Sequence, residues 1–279
     1  MTIIGFLHPG QMGVTLAAAV AADAIWAGDG RSPATRQRAS SAEMTDVESV
    51  AELCRMSDIV LSICPPAAAR DVANAVKEVG FTGIYVDANA ISPATAKEIG
   101  RGFEAYVDGG IIGPPAMKPG TTRMYLAGAA AADVAALWHG SALDVRVLPG
   151  SADDAPASAL KMAYAGWTKG RSALLLAVNA LAGSAGVLDA LHDEWTISQP
   201  GAIEQSQRTA AAVGPKAWRF SGEMVELAAA MADAGLPDGF HRGAAALYER
   251  LAGFKSGEPP TLATVIEALS TESADNDGD

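Results

Sequence analysis

The sequence is poor in the residues that define several common classes of protein. Its 279 residues include two cysteines and four histidines, so it has no framework of several disulfides. The cysteines, Cys54 and Cys64, lack metal-ligand spacing, and we expect two reduced thiols. No cluster of His, Cys and carboxylate residues has metal-ligand spacing either, and we therefore expect no metal site.

Basic residues and long apolar runs are also scarce. Lys and Arg number 20 against 32 Asp and Glu, which gives a formal net charge of −12. Because such a chain repels phosphate, we expect no nucleic-acid partner. No run of about 18 uncharged apolar residues is present, so we expect no membrane span. The first strand pattern begins at Ile3, which leaves no room for a signal peptide, and we expect a cytoplasmic protein.

What the sequence does have, in its first half, is a regular alternation of strand and helix patterns. Short apolar runs alternate with helical spacing, as between residues 67 and 79. This alternation predicts an α/β fold with a doubly wound parallel sheet of the Rossmann type. The predicted strands are Ile3–Leu7, Ala24–Ala27, Ser57–Cys64, Gly83–Asp87, Ala105–Asp108 and Arg123–Ala127.

After about Pro149 the strand pattern stops. Residues 157–182 predict one long helix, and the shorter helices predicted after it lie near 188–191, 201–213, 221–234, 239–253 and 261–270. The chain is therefore predicted to have three parts: a dinucleotide-binding domain at 1–152, an all-α domain at 153–270 and a disordered acidic tail at 271–279. Because leucines cover much of the long helix, we expect it to be surrounded, and a homodimer is predicted.

The turn after the first strand is the most informative motif. Gly10 and Gly13 stand at the second and third positions of a G-x-G-x-x-G pattern, which predicts a dinucleotide pyrophosphate beside the next helix, expected from Val14 to about Ala22. The first glycine of the pattern is replaced by His8.

Five motifs, in order, resemble those of the β-hydroxyacid dehydrogenase superfamily, which includes 6-phosphogluconate and 3-hydroxyisobutyrate dehydrogenases. The resemblance spans nearly the whole chain. The chain departs from the family pattern at three places: His8 replaces a glycine, Ile112 stands where a substrate-binding serine is expected, and Tyr164 and Ala165 stand on the helix face where the family has an asparagine one turn after the lysine. The matching segments are Gly10–Gly13, Asp87–Pro93, Asp108–Gly113, Gly120–Gly128 and Ala159–Ala165, the last of which contains Lys161.

The resemblance implies a cofactor site, a catalytic pair and a small-molecule substrate site. Lys161 matches the essential lysine of the family and is predicted to be the general acid/base, with Tyr164 beside it. The predicted substrate-binding residues are Ile112, Gly113, Thr121 and Trp167. The predicted cofactor-binding residues are His8, Pro9, Gly10, Gln11, Met12, Gly13, Arg31, Ser32, Cys64, Pro65, Pro66 and Asn89.

The choice of nicotinamide cofactor is predicted from the loop after the second strand. Asp29 follows Gly10 by nineteen residues, a distance at which an acid holds the ribose 2′-hydroxyl of NAD. Gly30-Arg-Ser-Pro33, however, resembles the family segment in which an arginine meets a 2′-phosphate. We therefore predict NADP, with NAD as the alternative.

Three functions remain open at this point. The first is an NADP-dependent oxidoreductase that transfers a hydride between nicotinamide and a carbonyl or alcohol carbon of a small molecule. The second is an imine reductase on the same scaffold; such enzymes usually carry Asp or Tyr where Lys161 stands, and Tyr164 keeps this alternative open. The third is a cofactor-binding sensor without turnover.

Overall fold

The computed structural model describes residues 2–255 and 257–271. The predicted acidic tail therefore lies, apart from Thr271, outside the described residues. The first half of the chain builds an eight-stranded sheet, and the strand order is β3-β2-β1-β4-β5-β6-β7-β8. The strands are β1 Ile3–Leu7, β2 Asp23–Trp26, β3 Thr45–Asp46, β4 Ile59–Ser62, β5 Ile84–Asp87, β6 Ala105–Ile112, β7 Thr122–Ala127 and β8 Leu143–Val147.

The helices between these strands complete the predicted Rossmann-type layer, which is confirmed. Helix α1 begins at Gln11, three residues earlier than predicted, and ends at Ala17. The remaining helices of this half are α2 Pro33–Ser41, α3 Val50–Met56, α4 Ala69–Glu78, α5 Pro93–Gly100 and α6 Ala131–Ala136.

Three features of the sheet differ from the sequence-based prediction. β7 pairs antiparallel with β6, so the sheet is only mostly parallel. β3 and β8 were not predicted; β3 has two residues, and β8 carries the charged Asp144 and Arg146 within a short apolar pattern. β6 continues beyond its predicted end at Asp108 to Ile112, so the glycine segment expected as a loop is a strand.

Successive residues of the central strands enter different apolar clusters. Ile4, Phe6 and Leu61 belong to one cluster, whereas Leu7 and Val60 belong to the other. Because neighbouring side chains of a strand point to opposite faces, both faces of the sheet are covered. This explains why β1 and β4 are continuous apolar runs rather than alternating patterns.

The chain divides into two compact units, Met1–Tyr164 and Ala165–Asp279. The domain boundary predicted between residues 152 and 153 remains a prediction. In the described part of the second unit the elements are helices, which confirms the predicted all-α half. These helices are α7 Pro156–Ser184, which begins in the first unit, α8 Leu188–Ser198, α9 Ala202–Val213, α10 Ala217–Asp233, α11 Gly239–Arg250 and α12 Leu262–Ser270.

The second unit contains a largely buried ion pair between α7 and α10. Lys169 Nζ lies 2.6 Å from a carboxylate oxygen of Glu223, and both side chains are largely buried. The Tyr248 hydroxyl donates to the Lys169 carbonyl, 2.6 Å away, which ties α11 to α7. Among residues 2–255 and 257–271, no helix is both long and apolar enough to cross a membrane.

Candidate functional site

The turn between β1 and α1 depends on a left-handed residue. His8 has φ +64°, a conformation that favours glycine and that histidine adopts more readily than most other residues. Its carbonyl accepts a hydrogen bond from Gly10 N, 2.7 Å away. A Cβ atom on Gly13 would lie 3.3 Å from the same carbonyl, so glycine there lets α1 begin close to the strand. His8 thus takes the backbone role of the missing first glycine.

The His8 side chain adds chemistry that a glycine lacks. Its Nδ1 is buried without a hydrogen-bond partner among the described residues. Burial, and then the positive charge of Arg31, lower the pKa of His8 to about 4. The imidazole is therefore neutral at pH 7, with one ring nitrogen able to donate and the other able to accept.

The loop between β2 and α2 brings Arg31 toward this turn. Ser32 caps α2, because its side chain accepts from the Thr35 amide at 3.3 Å. Arg31 stands directly before that cap, and its Nε is buried without a partner among the described residues. Burial lowers the pKa of Arg31, and the charge of Cys64 opposes that shift. The ends of β1, β2 and β4 therefore meet at His8, Arg31 and Cys64.

Asn89 fastens the ends of β4 and β5 to each other. Its Oδ1 accepts from the Cys64 amide at 2.6 Å, and its Nδ2 donates to Ser62 Oγ at 3.0 Å. The side chain is fully buried, so both of its polar groups hold the segment that leads from Cys64 into Pro65 and Pro66. Burial, and next the charge of Asp87, raise the pKa of the Cys64 thiol to about 12. The predicted contact of Asn89 with the cofactor stays a prediction.

Two buried carboxyl groups lie side by side on β5 and β6. Asp87 and Asp108 are register partners in the parallel pair. Burial raises the pKa of Asp87 to about 7; the amide of Asn89 opposes this shift and the charge of Asp108 adds to it. Asp87 Oδ2 has no hydrogen-bond partner among the described residues.

Asp108 anchors the beginning of α7. Its carboxylate accepts from the Ala157 amide at 2.7 Å and from the Ser158 hydroxyl at 2.6 Å. These donors belong to the first turn of α7, where backbone amides lack partners within the helix. Burial raises the pKa of Asp108, and the bonds from Ser158 and Ala157 oppose that rise. The carboxylate thus caps α7 from a strand that is 49 residues earlier in the chain.

This anchor places Lys161 at the end of β6. Lys161 Nζ donates a hydrogen bond to the carbonyl of Ile111, 2.7 Å away. The close approach of helix and strand requires Gly110, where a Cβ would lie 2.7 Å from the Ala157 carbonyl and 3.1 Å from Lys161 Cβ. The lysine ammonium is therefore fixed at the carboxyl end of the sheet, the edge at which open α/β folds bind ligands.

Three of the predicted substrate-binding residues, Ile112, Gly113 and Thr121, lie at the end of β6 and in the loop before β7. Ile112, the last residue of β6, is buried at 4% exposure. Gly113 follows it with φ +131°, and a Cβ there would lie 2.4 Å from the Thr121 carbonyl. The Thr121 hydroxyl donates to the Lys118 carbonyl at 2.7 Å within the loop before β7. Gly113 and Thr121 are thus brought together by the backbone, and Thr121 Oγ1 is engaged locally.

The aromatic residues that follow Lys161 on α7 are solvent-accessible. Tyr164 is 45% exposed and Trp167 is 66% exposed. Trp167 lies in the second unit, where its ring is 5.4 Å from the guanidinium carbon of Arg171. Their predicted roles toward a substrate stay predictions.

Asp108 and Gly110 belong to a sequence motif of the resembled family, but the sequence alone did not predict their structural roles. An aspartate at a strand end before two glycines was a visible signal of a close helix contact, but its partner, the start of α7, could not be identified from spacing.

Among the described residues, no group of three or more His, Cys, Asp and Glu side chains could hold a metal ion.

Sequence comparisons find two matches. Residues 182–251 match a family described as "Domain of unknown function (DUF1932)". A Methanothermus fervidus protein described as "Uncharacterized 28.5 kDa protein in 7S RNA 5'region" is 33% identical over 166 residues, which cover 58% of this chain and 62% of that protein. The chain therefore matches less than two thirds of the length of this relative.

Solved structures align over nearly the whole chain. The conserved protein MTH1747, described as structurally similar to 3-hydroxyacid dehydrogenases, has a TM-score of 0.64 and 25% identity over 91% of this chain and 100% of its own. A Mycobacterium tuberculosis 3-hydroxyisobutyrate dehydrogenase has a TM-score of 0.64 and 16% identity over 97% of this chain and 100% of its own.

An imine reductase from Myxococcus stipitatus, in complex with NAD+, has a TM-score of 0.51 and 17% identity over 97% of this chain and 100% of its own. The structural neighbours thus include 3-hydroxyisobutyrate dehydrogenase-like members of the β-hydroxyacid dehydrogenase superfamily, and the resemblance to that superfamily indicated by the sequence motifs is confirmed.

Proposed function

We propose that this chain is an NADP-dependent oxidoreductase that transfers a hydride between nicotinamide and a carbonyl or alcohol carbon of a small molecule. The observation that carries the proposal is the position of Lys161. Its Nζ is held 2.7 Å from the Ile111 carbonyl at the ligand-binding edge of the sheet, by a helix that Asp108 caps. The names of the neighbouring proteins, dehydrogenases and reductases among them, support the same class of reaction.

The residues at the sheet edge fit a nicotinamide dinucleotide. The strand order β3-β2-β1-β4-β5-β6 places a crevice at β1 and β4, where the order reverses. The glycine turn allows a close backbone approach, because a Cβ on Gly10 would touch nothing nearer than 3.9 Å. His8 Nδ1 and Arg31 Nε supply buried polar atoms without partners among the described residues. Gly10, Gln11, Met12 and Gly13 would hold the pyrophosphate, and Arg31 with Ser32 the adenosine ribose.

When bound, the cofactor supplies the hydride donor or acceptor carbon at its nicotinamide ring. The contribution of the chain is to manage the proton that accompanies the hydride. Lys161 is the group suited to this task, since its ammonium can donate and, once deprotonated, accept a proton. The hydrogen bond to the Ile111 carbonyl fixes the position of Nζ at the sheet edge. Lys161 gives the proton when a carbonyl is reduced and takes it when an alcohol is oxidised.

The test is a screen of NADPH oxidation and NADP reduction against carbonyls, hydroxy acids, polyols and amines, with the wild type and Lys161→Ala. We expect the variant to bind NADPH as the wild type does but to lose about 10²–10⁴-fold in turnover, the usual contribution of a positioned acid/base. The matched control is Lys77→Ala, which removes an exposed lysine of α4 and leaves turnover unchanged. Full activity in Lys161→Ala contradicts the assignment.

The same screen separates the alternatives. Tyr164 is 45% exposed and lies one helical turn after Lys161, and imine reductases are among the structural neighbours, so amines belong in the panel. Amine turnover that survives Lys161→Ala favours an imine reductase. Tight NADPH binding without any turnover favours a sensor.

A further inference from the structure

Two polar side-chain atoms beyond the ends of β1 and β2 have no hydrogen-bond partner among the described residues. His8 Nδ1 and Arg31 Nε are both buried and without partners among the described residues. A buried N–H without an acceptor costs free energy, so such atoms call for a ligand or water. The Arg31 Nε has no partner among the described residues, whereas the Arg36 guanidinium donates to Asp46 at 3.0 Å and the Arg38 guanidinium donates to Thr35 at 2.9 Å.

The two groups follow neighbouring strands. His8 comes directly after β1 and Arg31 lies in the loop after β2, and these strands pair in parallel, so their carboxyl ends are side by side. In agreement with this, the charge of Arg31, after burial, lowers the pKa of His8. The charge of Cys64 raises the pKa of Arg31, against the effect of burial. Asp87 raises the pKa of Cys64, and a hydrogen bond from Ser62 lowers it. Two hydrogen-bonding groups set beside each other, one of them a guanidinium, can form a receptor for an anion.

We propose, building on the proposed function, that His8 and Arg31 together bind the 2′-phosphate of NADP, so that His8 is a second residue that selects NADP over NAD. Arg31 offers a guanidinium fork to the phosphate oxygens, and the His8 imidazole donates one further hydrogen bond. The histidine that departs from the glycine pattern thereby gains a function, and its left-handed backbone keeps the turn intact.

The 2′-phosphate suits this receptor better than the pyrophosphate does. In this fold the pyrophosphate meets the amides of the β1–α1 turn, whereas the ribose 2′ group is read from the loop after β2. Arg31 belongs to that second loop, at the start of α2. His8 follows β1 directly, and β1 pairs in parallel with β2, so the turn that carries His8 lies next to the loop that carries Arg31.

The experiment is a binding study with matched ligand pairs. Dissociation constants are measured for NADPH against NADH, and for adenosine 2′,5′-bisphosphate against 5′-AMP, with His8→Gly, Arg31→Ala and the double variant. Glycine at position 8 accepts φ +64° without strain, so the turn is expected to fold. The control His139→Gln replaces an exposed histidine and is expected to bind like the wild type.

We expect each single variant to weaken NADPH and the bisphosphate by about tenfold or more, as for hydrogen bonds to a charged group, and to leave NADH and 5′-AMP unchanged. The double variant should lose less than the product of the two single losses, because both residues bind one phosphate. Equal weakening of NADPH and NADH by His8→Gly would move His8 to the pyrophosphate and overturn the proposal. An unchanged NADPH constant in that variant would also overturn it.

The two proposals fail in different ways. Adenosine 2′,5′-bisphosphate lacks nicotinamide, so its binding reports on the receptor alone. If the bisphosphate binds through His8 and Arg31 but no substrate is turned over, the receptor stands and the oxidoreductase does not. The variant His8→Asn guards against a folding defect in His8→Gly, since asparagine also tolerates a left-handed backbone, and we expect it to lose NADPH preference as well.

Discussion

At the residue scale, Asp87 shows how far the fold changes the chemistry of a single carboxyl group. The side chain is 1% exposed, and one of its oxygens has no hydrogen-bond partner among the described residues. Burial raises its pKa from 3.8 to about 7. Folded chains therefore keep the Asp87 proton over a pH range in which unfolded chains have lost it.

This difference predicts the sign of a pH effect on stability. Between pH 4 and 7 the unfolded state binds fewer protons at Asp87 than the folded state, so the free energy of unfolding falls as the pH rises. Asp87→Asn removes this loss, and we expect its melting temperature relative to wild type to increase across that range and then level off. Thermal melts at a series of pH values measure this. A difference that does not vary with pH contradicts the burial account; Asp193→Asn, at an exposed position, is the control.

Some of the site residues could be predicted from the sequence and others could not. The turn that contains Gly10 and Gly13 and the long helix that carries Lys161 were predicted, because local order along the chain determines both; the cofactor-binding and catalytic roles of these residues stay predictions. The roles of Asn89 and Asp108 depend on partners on other strands and helices, 25 and 49 residues away. No local pattern contains those partners, so their structural roles appear only once the sheet is assembled.

At the element scale, the central contact is the packing of α7 against β6. A Cβ on Gly110 would lie 2.7 Å from the Ala157 carbonyl, which is backbone and has no flexible end to move aside. The glycines also explain why β6 was predicted too short. Glycine weakens a strand pattern, and here it is present because another backbone approaches closely.

Gly110→Ala is therefore expected to push α7 away from β6. We expect a loss of about 1–3 kcal/mol in the free energy of unfolding, the usual cost of overpacking, together with lower turnover because Lys161 moves with its helix. Chemical denaturation measures the first and steady-state kinetics the second. Gly243→Ala is the matched control, since a Cβ there meets nothing within 4 Å. Its helix α11 should keep or slightly gain stability, and equal stability of the two variants contradicts the close contact.

The helices of the second half show where local patterns suffice. α7, α9 and α12 lie within two residues of their predicted bounds, because long apolar periodicity and terminal caps define them. The strands β3 and β8 were not predicted. β3 has only two residues, and β8 contains the charged Asp144 and Arg146, so neither shows a clear apolar strand pattern. Their positions follow from pairing with β2 and β7, which is information from the whole sheet.

At the scale of the whole molecule, the residues proposed for cofactor binding and for proton transfer belong to the unit that contains the eight-stranded sheet. The first unit contains the glycine turn, the His8–Arg31 pair and Lys161. The second unit contributes most of α7 and the helices α8 to α12. None of the described residues of α8 is buried, and Ile197 is 80% exposed. The homodimer around the long helix α7 stays a prediction.

The central claim is that the sheet edge is a nicotinamide-cofactor site, and calorimetric titration of the full chain with NADPH tests it most directly. We expect one NADPH per chain, with tighter binding than NADH and with that preference reduced by Arg31→Ala. The absence of saturable binding by either dinucleotide, at concentrations up to the millimolar range of weak enzyme ligands, would contradict the claim.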